Sequence, residues 1–289
     1  MNILMALSQL EVTGAEVYAT TVGNELTRRG HNVFYVSDTL TKPTQGPVFK
    51  LRFNKRSILR RFWHVFYLIY LIRKHHIQLV HAHSRASGWS SYVACKLTGT
   101  PMITTVHGRQ PVHASRKAFH ALGYRAVAVC GDIARQIIDN LGVDPAMVQV
   151  LRNGIETDRF QPVPAPDNAR PVIAIIGRLS GPKGELCYRL LDEVLDLDAC
   201  QVRVVSGTRV PERFARFQDK VDFVGYVDDV PALLAQCDLV IGAGRVAMEA
   251  LLCGRPAVAI GEAQAIGLVT EQNLDEALAS NFGAMAPRD

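Results

Sequence analysis

Short apolar runs alternate with stretches of helical periodicity along the whole chain, and the alternation is interrupted once. Asn2–Leu7, Val33–Val36, Leu79–Ala82, Met102–Val106 and Ala126–Val129 read as strands. A helix opens at Gly14 with Val17, Tyr18, Val22 and Leu26 on one side and stops at Gly30, and further helices are expected at 86–98 and 132–141. At 162–171 the sequence is PVPAPDNARP, with four prolines in ten residues, which predicts a linker. The alternation then restarts with strands at 172–176, 202–205, 221–224, 239–241 and 257–260 and helices at 185–195, 230–236 and 246–252. Strands that alternate with helices form βαβ units and parallel sheets, so the expected class is α/β, with two doubly wound domains at 1–161 and 172–289. A chain of 289 residues is long enough for two such cores. Ligands of open parallel sheets bind beyond the carboxyl ends of the strands, so two sheets facing each other would enclose a cleft.

The formal net charge of +5 hides a division. Thr39 to Gly131 contains no Asp or Glu but 15 Lys or Arg, whereas 132–289 carries 23 acidic and 15 basic residues. The two halves are therefore expected to meet different partners. The six cysteines form no C-x-x-C pair and mostly lie in apolar runs, as buried thiols of a reducing, cytoplasmic compartment do. The N-terminus lacks a basic n-region and reads as a first strand. Phe62–Ile72 (FWHVFYLIYLI) is too short for a membrane span of about 20 residues. On a helical wheel Arg56, Ser57, Arg60, Arg61 and His64 oppose Leu59, Phe62, Trp63, Phe66 and Ile69. Two readings stand for segment 55–74: a helix packed on a sheet with its charges solvated, or peripheral contact with a membrane interface.

Four places could carry chemistry. Gly177-Arg178-Leu179-Ser180-Gly181-Pro182-Lys183-Gly184 lies between a strand and a helix, where free N–H groups, Arg178 and Lys183 suit a diphosphate. It matches neither G-x-x-x-x-G-K-[ST] nor G-x-G-x-x-G, and a basic surface turn is the plain alternative. Gly242–Ala250 (GAGRVAMEA) repeats the strand, glycine, helix order. Its Glu249 sits in an otherwise apolar helix, so it must be paired or meet a ligand such as a ribose. Gly14-Ala15-Glu16 offers a third helix start, and His107 follows a strand in TTVHG. His81 and His83 share one strand face, but no acidic residue is nearby in sequence and no metal site is expected.

These pieces occur in the order GAEVYATTVGNELTRRGHNV, LVHAHSRASGW, ITTVHG, AVAVCGDIARQI, RNGIETDRF, IGRLSGPKG, VDFVGYVDDVPALLAQCDLVIG and RVAMEALLCGRPAVAIG. So ordered, the sequence resembles the family 4 retaining glycosyltransferases (glycosyl transferases group 1). The resemblance implies the GT-B fold, with two Rossmann-like domains facing across a cleft. It places the acceptor side in 1–161 and the nucleotide sugar in 172–289. It implies that Arg178 and Lys183 neutralise the donor diphosphate, together with Gly177 and the backbone N–H groups around Gly244, Arg245 and Val246. By the same resemblance Glu249 binds the ribose, Gly14 lets the donor phosphates or the acceptor approach, and His107 contacts the transferred sugar. No metal and no cofactor is implied beyond a nucleotide-sugar co-substrate, a UDP-sugar or GDP-sugar.

There are two departures. The first glutamate of the family's pair is replaced by Ile241, and the chain stops at Asp289, where members continue through further helices. The two departures together keep a rival open, a catalytically silent nucleotide-sugar-binding protein. A nucleic-acid binder and a nucleotide-sugar epimerase lack supporting residues. The basic stretch lies on the acceptor side, so the expected acceptor is an anionic glycan or lipid of the cell envelope, of lipopolysaccharide type.

Overall fold

The computed structural model describes residues 1–8, 14–53 and 57–285. The chain divides into two compact units, the first ending at Asn153 and the second starting at Gly154.

The first unit runs β1 (Asn2–Ala6), α1 (Gly14–Arg28), β2 (Asn32–Ser37), β3 (Val48–Lys50), α2 (Ile58–Lys74), β4 (Leu79–Ala82), α3 (Arg85–Thr98), β5 (Met102–Val106), α4 (Ala114–Ala118), β6 (Arg125–Ala128), α5 (Gly131–Arg135) and β7 (Val148–Val150). Its seven strands form a parallel sheet in the order β3-β2-β1-β4-β5-β6-β7. Alternate side chains of β1 feed two separate cores: Leu4 and Ala6 pack with α2 and α3, while Ile3 and Met5 pack with α1. This is why the sequence shows continuous apolar strands rather than half-polar ones.

The second unit runs β8 (Val172–Ile176), α6 (Gly181–Arg189), β9 (Gln201–Val205), β10 (Val221–Gly225), α7 (Val230–Leu234), β11 (Leu239–Gly242), α8 (Arg245–Leu252), β12 (Ala257–Ile260), β13 (Ala265–Leu268) and α9 (Leu274–Ala279). The order is β10-β9-β8-β11-β12-β13, parallel except for the last pair. Both units are thus doubly wound.

The structure corrects two expectations and decides a third point. The proline-rich stretch 162–171, expected as the linker, belongs to the second unit and is tied to it. Val163 N–H donates to the Cys253 carbonyl at 3.2 Å, and the Arg255 guanidinium donates to the carbonyls of Val163 and Pro164. Second, β3, β7 and β13 were not expected; they are edge strands of three or four residues, too short to carry a period of their own. Third, α2 divides its apolar residues between the core and the surface, which a helical wheel alone does not assign. Val65, Leu68, Leu71 and Ile72 go inward, and Leu59, Phe62, Trp63 and Phe66 stay exposed.

Candidate functional site

In the second unit the strand order reverses between β8 and β11, which lie side by side with Ile241 opposite Ile175. From β8 the chain passes through Gly177-Arg178-Leu179-Ser180 into α6, and from β11 through Ala243-Gly244 into α8. The two strand, glycine, helix stretches that sequence offered as separate candidates are therefore neighbours at the switch point. There the free N–H groups of two helix starts collect, and there open parallel sheets bind ligands.

The β8 turn is held by its neighbours. Gly177 N–H donates to the Val205 carbonyl at 3.0 Å, and Leu179 N–H to Thr208 Oγ1 at 3.1 Å. Gly184 is where α6 comes close to this turn: a Cβ there would lie 2.2 Å from the Leu179 carbonyl oxygen. Gly184→Ala is therefore expected to push the turn off the helix and cost roughly 1–3 kcal/mol. Denaturant titration checks this, and an unchanged midpoint would refute the contact. Gly244 adopts φ 62°, and its N–H donates to the Asn281 carbonyl at 3.1 Å, which fixes the start of α8.

Arg178 is exposed, with its guanidinium 4.0 Å from the Glu262 carboxylate. Lys183 is partly buried; burial draws its ammonium pKa down, the nearby Glu262 carboxylate opposes this, and Arg178 adds to it. Glu262, which sequence reasoning missed, thus lies beside Arg178 and close enough to Lys183 to act on its charge.

The Glu249 carboxylate accepts from Arg245 Nη2 at 3.1 Å, and Arg245 Nη1 donates to the Gly154 carbonyl at 2.7 Å. Both side chains are close to buried, at 12% and 10% exposure. Burial raises the Glu249 pKa, and Arg245 opposes it. Of the two fates expected for this carboxylate, the structure displays pairing. The Arg245 guanidinium is engaged within the unit, so what α8 turns to the switch point is its backbone. Val246 packs beneath Gly242, where a Cβ would lie 2.6 Å from Val246 Cγ1. Ile241 is buried among Ile175, Leu179 and Val204.

In the first unit Gly14 is the first residue of α1, and the 9–13 stretch before it lies outside the described residues. Glu16 is buried, its carboxylate accepting from Thr41 and Lys42 N–H at 2.6 Å each, so it braces the chain after β2. His107 follows β5 and lies beside His83, which follows β4: His83 Nδ1 and His107 Nε2 are 3.2 Å apart, so one ring donates and the other accepts. The His81 ring is 4.1 Å from that of His83, and its Nε2 is 2.7 Å from Thr105 Oγ1. Tyr18 of α1 lays its ring edge-on to His107 at 5.0 Å. Burial lowers the pKa of His107 to about 3 and of His81 to about 4, and takes His83 well below the usual range. The three imidazoles are neutral near pH 7. His107 can offer hydrogen bonds and contact there, but not a positive charge.

The model for Glycosyltransferase Family 4 matches residues 12–159, just over half of the chain. The chain belongs to glycosyltransferase family 4. The Glycosyl transferases group 1 model matches 170–286, so family 4 character extends across both units. A D-inositol 3-phosphate glycosyltransferase of Geodermatophilus obscurus is 29% identical over 233 residues, covering 64% of this chain and 52% of the relative. The UDP-Gal:alpha-D-GlcNAc-diphosphoundecaprenol alpha-1,3-galactosyltransferase of Escherichia coli is 24% identical over 68% of this chain and 58% of its own. The family 4 chain thus spans about half the length of the curated relatives it matches. Among solved structures, Anabaena HepE in complex with UDP-glucose superposes with TM-score 0.74 at 19% identity, over 98% of this chain and 94% of its own. The lipopolysaccharide outer core galactosyltransferase WaaB, in its apo form, gives 0.64 at 16% identity, over 89% and 80%. The fold is that of the GT-B glycosyltransferases.

Proposed function

We propose that the protein moves a hexosyl group from a nucleoside diphosphate donor to an acceptor with retention of configuration and without a metal. The observation that carries this reading is the meeting of two glycine turns and two helix starts at β8 and β11, beside Arg178 and Lys183. As the bond from the sugar to the diphosphate breaks, negative charge builds on the leaving group. Fixed N–H donors and two cations aimed at that charge are the main lever on such a barrier. The acceptor hydroxyl adds to the sugar on the face the diphosphate leaves, and its proton passes to a departing phosphate oxygen. In the second unit Glu249 is assigned to the ribose. In the first, the neutral His107 is assigned to the transferred sugar.

HepE is solved in complex with UDP-glucose, and the Escherichia coli relative is a UDP-Gal galactosyltransferase, so UDP-sugars come first in a donor screen. The same relative's name carries a diphosphoundecaprenol, and WaaB is a lipopolysaccharide enzyme. With the acid-free stretch 39–131, they support an anionic envelope glycan or lipid as acceptor and a peripheral position at the inner face of a membrane.

A second reading, donor binding without turnover, is favoured by Ile241 in the core and by the Glu249–Arg245 pair. One experiment separates the two. Release of nucleoside diphosphate is measured across UDP-, GDP- and ADP-sugars, alongside donor-induced thermal stabilisation. Release supports transfer, and stabilisation with no release for any acceptor supports the silent reading. Absence of both defeats the pair.

A further inference from the structure

Leu59, Phe62, Trp63, Phe66 and Tyr70 are each three or four residues from another of the set along α2 and form one continuous ridge. The ridge faces solvent: these side chains are 81, 61, 64, 65 and 50% exposed. The opposite face of α2, through Val65, Leu68, Leu71 and Ile72, is already in the core. A helix whose only task is to cover a sheet turns polar residues outward, and α2 turns its largest aromatic residues outward instead. Cations frame the ridge. Arg60, Arg73 and Lys74 are exposed, and Lys74 Nζ donates to Tyr70 Oη at 2.8 Å. Trp63 and Tyr67 stack at 6.5 Å, and Tyr67 and Tyr70 at 6.2 Å, which gives the ridge a rim of rings with one apolar and one polar end.

The charge decides what covers this face. Thr39 to Gly131 contains no acidic residue, so pairing with a second copy through the same face would set arginine and lysine against their own kind. An anionic bilayer supplies both complements, hydrocarbon for the ridge and lipid phosphate for the cations. At 17 residues α2 would lie along such a surface, and no helix among the described residues is long and apolar enough to cross a membrane. We propose that α2 is an interfacial anchor that seats Leu59, Phe62, Trp63 and Phe66 at the headgroup boundary of an anionic membrane, with Arg60, Arg73 and Lys74 on lipid phosphates. The inference deepens, and rests on, the reading of a membrane-bound acceptor, and its test reads binding rather than transfer.

The full chain is sedimented with vesicles of equal parts phosphatidylglycerol and phosphatidylcholine, and with phosphatidylcholine alone. Binding is expected to the first, weakening steeply with salt, with a blue shift of tryptophan emission that Trp63→Phe removes. The triple variant Phe62→Ser, Trp63→Ser, Phe66→Ser is expected to lose binding on the order of a hundredfold. Arg73→Gln with Lys74→Gln should lose about fivefold per charge. Circular dichroism melting confirms that these surface variants stay folded. Failure of the wild type to bind anionic vesicles, or unchanged binding of the triple variant, overturns the anchor. So does a wild-type dimer in sedimentation velocity that the triple variant abolishes, which would give the ridge to a second copy. Nucleoside diphosphate release in lipid-free solution is expected to be the same in wild type and triple variant. Loss of the anchor with release intact therefore leaves the transferase reading standing, and vesicle binding without release does the reverse.

Discussion

Replacing Arg178 by alanine is expected to cut turnover of the preferred nucleotide sugar about a hundredfold, the scale of roughly 3 kcal/mol for one donor aimed at developing charge. The fall should lie in kcat more than in KM, because the charge on the leaving diphosphate is larger at the transition state than in the bound donor. The geometry supports a large effect. Arg178 stands at the carboxyl end of β8, its guanidinium exposed and held only at 4.0 Å from Glu262, so it can turn toward an incoming diphosphate at little cost. Arg178→Lys keeps the charge and loses the planar fork, and should fall between the two. Steady-state release of nucleoside diphosphate measures all three proteins. Equal turnover in wild type and Arg178→Ala would remove Arg178 from the chemistry and with it the main support for transfer at this turn.

Acid is expected to destabilise the first unit as soon as pH falls below about 6.5. His81, His83 and His107 are held neutral in the fold by burial, with values of about 4 and about 3 for the first and third. In the unfolded chain each takes up a proton near pH 6.5. As pH falls below that value the unfolded state binds more protons than the native one, so stability drops. The drop reaches up to roughly 4 kcal/mol per pH unit for the three rings together, and it ends as pH passes down through the folded values. Above pH 7 the effect vanishes. The raised pKa of Glu249 works in the opposite sense, but in the second unit. Urea midpoints between pH 7.5 and 5 test this. His81→Gln, which keeps a hydrogen-bonding atom for Thr105, should flatten the slope by about one proton. A flat profile over that range would mean that the cluster is open to water.

The parts of this molecule legible in the sequence were those fixed locally. The strands of both sheets announce themselves because they are buried on two faces, and the turns around Gly177 and Gly244 because a glycine, a helix start and a polar residue fall within a few positions. What depends on distant partners was not legible. Glu262, Asn281 and Thr208 reach the β8 and β11 turns from other loops, and nothing in their own neighbourhoods marks them. Prolines at 162–171 exclude regular structure but do not reveal that Arg255 and Cys253 hold the segment down. In α2 the arc that begins with Arg60, Arg61 and His64 is filled further on by Tyr67, Leu68 and Leu71, so that end is apolar all round and a helical wheel cannot choose which face a sheet will take. His81 and His83 were placed on one strand face from their spacing, but only the pairing of β4 with β5 brings His107 to them.

The carbonyl of Gly154, the residue with which the second unit begins, accepts from Arg245 Nη1, and Arg245 Nη2 donates to Glu249. One guanidinium is therefore a three-way junction between the candidate ribose ligand, the start of α8 and the first peptide after the crossing from one unit to the other. Whatever displaces the Glu249 carboxylate is felt, one side chain away, at the first peptide of the second unit.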